Sequence, residues 1–100
     1  MNNDFQIEHE ERAAGGRYVL TVEGQKSELT YSRVNGRMVI THTYVPPAQR
    51  GRDLGLALVK RAVEDARAKG VKVVPICPYV RLQIERRPEW QDVLARQDDG

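Results

Sequence analysis

The stretch VPPAQRGRDLGLALVKRA, from Val45 to Ala62, joins a predicted strand to the longest predicted helix of the chain. Its two prolines end the strand because proline cannot donate a hydrogen bond to a sheet ladder. Arg-Gly-Arg follows directly, and helical periodicity begins at Asp53. The turn is therefore either a strand-to-helix connection with solvated basic residues or a pocket for a ligand that carries phosphate.

The helix has a clear apolar face and a clear end. Apolar residues recur every four positions, and two valines widen the stripe. Gly70 is a natural C-terminal stop, so the helix is predicted from Asp53 to Lys69. The predicted buried face consists of Leu54, Leu58, Val59, Ala62, Val63 and Ala66.

The half of the chain before this helix predicts an antiparallel meander. Four segments are rich in β-forming residues or alternate in polarity. Ala13–Gly16 is interpreted as a turn, and Asn35-Gly36 is the strongest short hairpin signal in the chain. The four predicted strands begin at Phe5, Arg17, Ser27 and Arg37.

The segments after the helix predict one more strand and a short helical end. VKVVPI, residues 71–76, follows the helix and completes a β-α-β unit whose strands should be parallel. A short helix over Tyr79–Arg86, a helical turn opened by Pro88 and a frayed tail over residues 95–100 follow. The predicted fold is α+β, with a mixed, mostly antiparallel sheet of about five strands in one domain over residues 1–100.

Bulk composition excludes several classes of protein. The net charge is only +2 at pH 7, whereas a dedicated nucleic-acid binder shows a strong basic excess. The single cysteine, Cys77, allows no intramolecular disulfide and is typical of a reducing cytoplasm. No signal-type N-terminal run or membrane-length apolar stretch of roughly 20 residues occurs. One cysteine and two distant histidines do not predict a metal site.

The turn ahead of the helix has the chemistry of a phosphate site. A helix N-terminus leaves main-chain N–H groups unpaired and carries a partial positive charge. Gly51 and Gly55 allow a ligand to approach the backbone, and Arg50 and Arg52 supply charge-assisted hydrogen bonds.

This arrangement resembles the core of the GNAT acetyltransferase superfamily, whose phosphate motif reads Gln/Arg-x-x-Gly-x-Gly/Ala. Two frames fit, Arg50–Gly55 and Arg52–Ala57, and the first is preferred because it keeps the phase of the helix. In that frame Asp53 stands where the family has glycine. The resemblance implies acetyl-CoA as cofactor and main-chain amides that hold its pyrophosphate. The implied cofactor-binding residues are Thr43, Tyr44, Val45, Arg50, Gly51, Arg52, Asp53, Leu54 and Gly55.

A second resemblance is more specific and covers nearly the whole chain. HTYVPPAQRG, VVPICPYV and RRPEW are similar to a minimal, single-domain branch of the superfamily, the YjdJ type. Arg87 stands where that branch usually has histidine. Full-size members carry further helices and strands that shape the site of the acetyl acceptor, and this chain is too short for them. The resemblance therefore does not identify the acceptor substrate.

The resemblance also implies three catalytic candidates, each with a structural alternative. Cys77 is either an acyl acceptor beside the thioester or a small buried hydrophobe. His42 is either a general base or a strand residue hydrogen-bonded within the sheet. Tyr79 either protonates the departing CoA thiolate or packs the short helix onto the sheet. His9 is predicted to be a solvated strand residue, and Trp90 a core residue.

Two functions remain open from the sequence. In the first, the protein transfers an acetyl group from acetyl-CoA to an unidentified amine or thiol, and a main-chain N–H near Thr43 to Val45 polarises the thioester carbonyl. In the second, it binds acetyl-CoA or acts as an interaction module without catalysis. Partners of the metal, membrane and nucleic-acid classes are not expected.

Overall fold

The computed structural model describes residues 6–95 and contains one mixed sheet. The strands lie in the spatial order β1-β2-β3-β4-β5. The first three pairings are antiparallel, and β4 and β5 are parallel. The strands are β1 (Ile7–Arg12), β2 (Gly15–Val22), β3 (Gln25–Val34), β4 (Arg37–Tyr44) and β5 (Val73–Pro75).

The helices follow the predicted order, and the predicted fold class is confirmed. A 3-10 turn over Pro47–Gln49 follows β4, and α1 (Leu54–Lys69) crosses over to β5. A second helix, α2 (Pro78–Glu85), and a 3-10 helix over Pro88–Val93 complete the described chain. The sequence predicted a start for α1 at Asp53, which is instead its N-terminal flanking residue.

Two hairpins of the meander have the same two-residue turn. Asn35 and Gly36 have φ angles of 53° and 74°, and Glu23 and Gly24 have φ angles of 53° and 78°. Positive φ at both central residues defines a type I′ turn, which matches the twist of the flanking strands. The Asn35-Gly36 hairpin was predicted, and the structure confirms it.

The turn predicted over Ala13–Gly16 is shorter in the structure than the sequence indicated. The turn is Ala13-Ala14, and both glycines belong to the strand. A Cβ on Gly16 would lie 2.7 Å from the hydroxyl oxygen of Tyr31. Close packing across the sheet explains these glycines, whereas a sequence pattern assigns glycine pairs to turns.

One hydrophobic cluster joins the sheet to every helix. All six residues of the predicted α1 stripe are at most 2 % exposed, and Trp90 is buried as predicted. They pack on the sheet face that carries Tyr18, Leu29 and Ile40. Residues 45–53 connect the C-terminal end of β4 to the N-terminal end of α1, and residues of both ends line one cleft.

His9 is not the solvated residue that the sequence predicted. Its ring stacks on Tyr18 at 4.2 Å, and its Nε2 lies 2.7 Å from the Tyr31 hydroxyl oxygen. The Tyr18 hydroxyl donates to Asp65 on α1 at 2.8 Å. Alternation places His9 on the sheet face that α1 covers, so its side chain is partly buried.

Two predictions lie at the ends of the chain, where the structure describes only part of the residues concerned. Phe5, the predicted start of the first strand, lies outside the described residues. Ala95, the first residue of the predicted frayed tail, donates its main-chain N–H to Val73 at 2.8 Å. Residues 96–100 of that tail also lie outside the described part.

Candidate functional site

A cleft of about 460 Å³ opens where β4, the phosphate turn and α2 meet. We use "phosphate turn" for residues 50–55, the segment that the sequence predicts to bind phosphate, which runs from the end of the 3-10 turn into the first two residues of α1. The cleft is lined by Thr43, Tyr44, Val45, Gln49, Arg50, Gly51, Asp53, Leu54, Gly55, Tyr79 and Gln83.

The cleft exists because β4 and β5 separate. Their pairing ends at Ile40 and Pro75, and proline has no N–H to continue the ladder. The main-chain N–H groups of Ile76 and Cys77 both donate to the Ile40 oxygen, at 3.0 and 3.1 Å. Beyond this point β4 pairs only with β3, so alternate N–H groups of the strand face the gap.

A β-bulge in β4 changes which side chains face the cleft. Thr30 pairs with His42 and Tyr31 with Ile40, which leaves Thr41 as an extra residue. The bulge brings Thr43 opposite the buried Leu29, on the cleft side.

The same bulge directs His42 away from the cleft. His42 is exposed, shares the face of Thr30, and is not among the described residues that line the cleft. Strand alternation alone would have placed His42 on the face of Ile40. The structure therefore gives no geometric support to His42 as a base.

The N-terminal end of α1 has an unusual backbone. Asp53 has φ 62° and ψ 28°, in the left-handed region, and its side chain makes no capping hydrogen bond. This conformation explains why the family motif has glycine here, and aspartate is one of the few residues that tolerate it. Because Asp53 does not cap the helix, the first-turn N–H groups remain available to a ligand at the cleft.

The two predicted phosphate-binding arginines lie in different places. Arg50 lines the cleft, and its Nε donates to the Val45 oxygen at 3.0 Å. Arg52 is not among the described cleft residues and instead contacts Glu23 and Gln49. The structure thus brings Arg50, but not Arg52, to the cleft.

Tyr79 packs on Gly55 and forms the wall of the cleft opposite β4. A Cβ on Gly55 would lie 3.0 Å from the Tyr79 hydroxyl oxygen and 3.1 Å from its ring. Burial raises the pKa of Tyr79, and the negative charge of Asp53 adds to the effect. Gly55 is therefore needed for the contact between α1 and α2, a role that the motif did not predict.

Cys77 lies at the base of the splayed strands. Its side chain is 8 % exposed, and its Sγ contacts the Thr43 hydroxyl oxygen at 3.7 Å. Like His42 and Arg52, Cys77 is not among the described residues that line the cleft, although Thr43, which it contacts, is.

Sequence analysis missed two residues that line the cleft, Gln49 and Gln83. Gln83 lies four residues after Tyr79, and this spacing places both side chains on one face of α2. Its carbonyl and side-chain oxygens accept hydrogen bonds from Arg87 at 3.0 and 2.9 Å. Gln49 gave no sequence signal, because a glutamine in a polar turn is normally exposed.

The described residues, 6–95, contain no cluster of three or more histidine, cysteine, aspartate or glutamate side chains that would hold a metal ion. Among the same residues, neither helix is long and apolar enough to span a bilayer.

Comparison with known proteins identifies the family. The model of a GCN5-related N-acetyl-transferase family matches residues 17–93. The fold is similar to the solution structure of a candidate GCN5-like N-acetyltransferase from Staphylococcus aureus, with a TM-score of 0.69 and 25 % identity over 94 % of this chain and 91 % of that one. No curated protein matches the chain. The chain belongs to the GCN5-related N-acetyltransferase family.

Proposed function

We propose that the protein binds acetyl-CoA in the cleft and transfers the acetyl group to an amine. The observation that carries this proposal is the N-terminal end of α1, which has no side-chain cap and faces the gap between the parallel strands β4 and β5. The chain also belongs to a family of acetyltransferases. Phosphate groups bind at such helix ends through unpaired N–H groups and the helix dipole.

The described residues fit this cofactor. Gly51 has φ 88° and open space around its Cβ position, so a phosphate can approach the main chain there. Arg50 adds a cation at the cleft, and the exposed β4 edge over Thr43–Val45 offers N–H groups along the gap. When bound, acetyl-CoA would supply the acetyl group as an activated thioester.

Groups of this chain would then stabilise the negative charge that develops during the transfer and would donate a proton to the leaving group. A β4 N–H aimed at the thioester carbonyl would stabilise the oxyanion that develops during attack. The Tyr79 hydroxyl, like that of any tyrosine, is protonated at neutral pH and could donate to the departing thiolate, although burial raises its pKa and so makes it a weaker acid. The attacking amine must lose a proton, and without His42 the acceptor would be water or the Asp53 carboxylate, which lines the cleft.

The subtype within the family and the role of Cys77 belong to the same proposal. If the chain is of the YjdJ type, Cys77 would lie near the thioester, and its thiolate would accept the acetyl group before an amine does. In that route the Cys77 thiol would lose its proton to water, and its sulfur would form a bond to the acetyl carbonyl carbon as the bond from that carbon to the CoA sulfur breaks. An amine would then take the acetyl group from the cysteine and leave the Cys77 thiol free again. Direct transfer requires no such intermediate.

One observation favours a second candidate, an acetyl-CoA-binding module without turnover. No histidine is among the described cleft residues, and the exposed His42 faces away from the cleft. A protein of this second kind would bind the cofactor through the same phosphate turn but lack a histidine base.

Native mass spectrometry with acetyl-CoA separates these routes. A noncovalent complex shows binding, and one added acetyl group that disappears in Cys77→Ala and in hydroxylamine shows acyl transfer to Cys77. Turnover of an amine without the adduct shows direct transfer. Binding without adduct or turnover over a panel of amines leaves the binding module, and no complex at saturating acetyl-CoA refutes the cofactor assignment.

A further inference from the structure

Gln49 is a nearly fully buried polar side chain directly ahead of the phosphate turn. It is 2 % exposed and lines the cleft. A buried amide is costly unless its donors and acceptor are both used. Here the amide nitrogen donates to Glu23 at 3.4 Å, and the amide oxygen accepts from Arg52 at 3.2 Å.

The charges on either side allow only one orientation of this amide. Its NH₂ group faces the Glu23 carboxylate and its oxygen faces the Arg52 guanidinium, and a flipped amide would place like polarity against both. Arg52 also reaches Glu23 directly, at 3.4 Å. These three side chains, Glu23, Gln49 and Arg52, are called the hairpin strap below.

The strap contacts a backbone segment that lies outside the helices and strands. Arg52 lies between Gly51 at φ 88° and Asp53 at φ 62°, two left-handed residues outside regular structure. Such conformations persist where surrounding contacts determine them. The contacts of Arg52 reach across the fold to the β2–β3 hairpin, whereas those of Arg50 stay within its own segment.

Glu23 itself occupies a position that glutamate rarely takes. With φ 53° it is the first central residue of a type I′ turn, where asparagine, aspartate and glycine are favoured. The β3–β4 hairpin has asparagine at the equivalent position, Asn35. A strained glutamate whose carboxylate reaches the phosphate turn indicates a role beyond closing the hairpin.

We propose that Glu23 and Gln49 are positioning residues that hold the phosphate turn in the conformation that binds the pyrophosphate of CoA. This inference rests on the proposed cofactor. It predicts that the hairpin strap affects binding of CoA but not of pantetheine, which lacks the pyrophosphate. It also predicts that the turn changes conformation in the free protein when the strap is broken.

The decisive variant is Glu23→Asn, with Asn35→Glu as its matched control. Asparagine suits the type I′ turn but is too short to reach Arg52, so Glu23→Asn should not lower the melting temperature. Its dissociation constant for CoA should rise by about three- to tenfold, the range for one or two partly exposed polar contacts. Asn35→Glu should lower the melting temperature and leave CoA binding unchanged.

A second variant tests the amide. Gln49→Leu removes the bridge at similar volume and should weaken CoA binding by a similar factor, with unchanged binding of pantetheine by NMR titration. The double variant Glu23→Asn/Gln49→Leu should bind no more weakly than Gln49→Leu alone, because both changes break one network. In the free proteins, amide signals of residues 51–54 should shift in both single variants and stay in place in Asn35→Glu.

The outcomes separate this inference from the cofactor proposal. If wild-type protein does not bind CoA, the cofactor proposal fails and the positioning role fails with it. If wild-type protein binds CoA but the amide signals of residues 51–54 are unmoved in the free variants, the positioning role is overturned alone. If wild-type protein binds CoA and Glu23→Asn or Gln49→Leu binds it equally well, the positioning role is overturned alone. Equal weakening of CoA and pantetheine would also overturn it, because that result indicates general damage to the cleft.

Discussion

The two ends of α1 have almost the same local backbone and opposite roles. Asp53 before the helix has φ 62° and ψ 28°, and Gly70 after it has φ 70° and ψ 25°. At Gly70 this conformation ends the helix. The Gly70 N–H donates to the Arg67 main-chain oxygen at 3.2 Å, and the Val71 N–H donates to the Ala66 main-chain oxygen at 3.0 Å. At Asp53 it leaves the first turn without a side-chain cap.

The surroundings of the two ends reinforce the difference. At the C-terminal end Lys69 pairs with Glu11, and Arg67 pairs with Asp92 at 2.8 Å. At the N-terminal end the helix faces the cleft, where Tyr79 contacts Gly55. The fold satisfies its polar groups at one end and leaves donors open at the other, and the open end is where a ligand would bind.

The largest expected effect comes from Gly55→Val at the open end. The added methyl groups would displace the Tyr79 ring, which overpacks the α1–α2 contact and costs about 1–3 kcal/mol of unfolding free energy. Urea titration measures this loss, and loss of the acetyl-CoA-induced rise in melting temperature should accompany it.

A Tyr79→Ala background tests the cause of that loss. If Gly55→Val destabilises this background as much as it does the wild type, the contact with Tyr79 is not the reason. A smaller cost in the background supports the contact, because the ring that the new side chain meets is gone.

Gly70→Ala should act only on stability. The position has open space for a Cβ, so the cost comes from the left-handed φ and is about 1 kcal/mol. Binding of acetyl-CoA should be unchanged in calorimetry. A change in affinity would contradict the separation of roles between the two ends of α1.

Asp53→Gly should increase stability, whereas Gly70→Ala should lower it, although Asp53 and Gly70 have almost the same backbone conformation. Glycine relieves the left-handed strain, a gain of about 1 kcal/mol or less. Removing the carboxylate should tighten acetyl-CoA binding on the order of threefold and move the pKa of Tyr79 down towards its ordinary value. Weaker binding would show that the Asp53 carboxylate helps the phosphate turn, and calorimetry distinguishes the two results.

The smallest expected effect is a pH dependence at His9. Burial lowers the pKa of His9 and Asp65 opposes this, while Lys69, Arg61 and Arg33 add to it. Because the folded-state pKa lies below the unfolded value of 6.5, stability is fully present above that pH and declines as pH falls towards the folded value.

A His9→Phe variant isolates this dependence. Phenylalanine keeps a ring against Tyr18 but cannot bind a proton, so the decline in stability below pH 6.5 should flatten. Denaturant titrations of both proteins between pH 5 and about pH 8 measure it. An unchanged pH profile would assign the dependence to other groups.

Sequence patterns were sufficient to predict the fold class and the order of the strands and helices. The four-residue apolar repeat identified the buried face of α1, and Asn35-Gly36 identified its hairpin, because both signals depend on neighbours along the chain. The same local reasoning was wrong for Gly16 and His9, whose environments come from Tyr31 and Tyr18 on neighbouring strands.

By itself, the sequence determined the order of strands and helices, the position of the phosphate turn and the resemblance to an acetyltransferase family. Periodicity, proline and glycine act over a few residues, so they can be detected without a fold. Only the tertiary structure decided that a bulge at Thr41 turns His42 from the cleft, that Gly55 makes room for Tyr79, and that Glu23 reaches the phosphate turn through Gln49. These contacts join residues that are far apart in the sequence: Thr30 and His42 are 12 positions apart, and Glu23 and Gln49 are 26 positions apart. Their geometry depends on how the strands and helices pack.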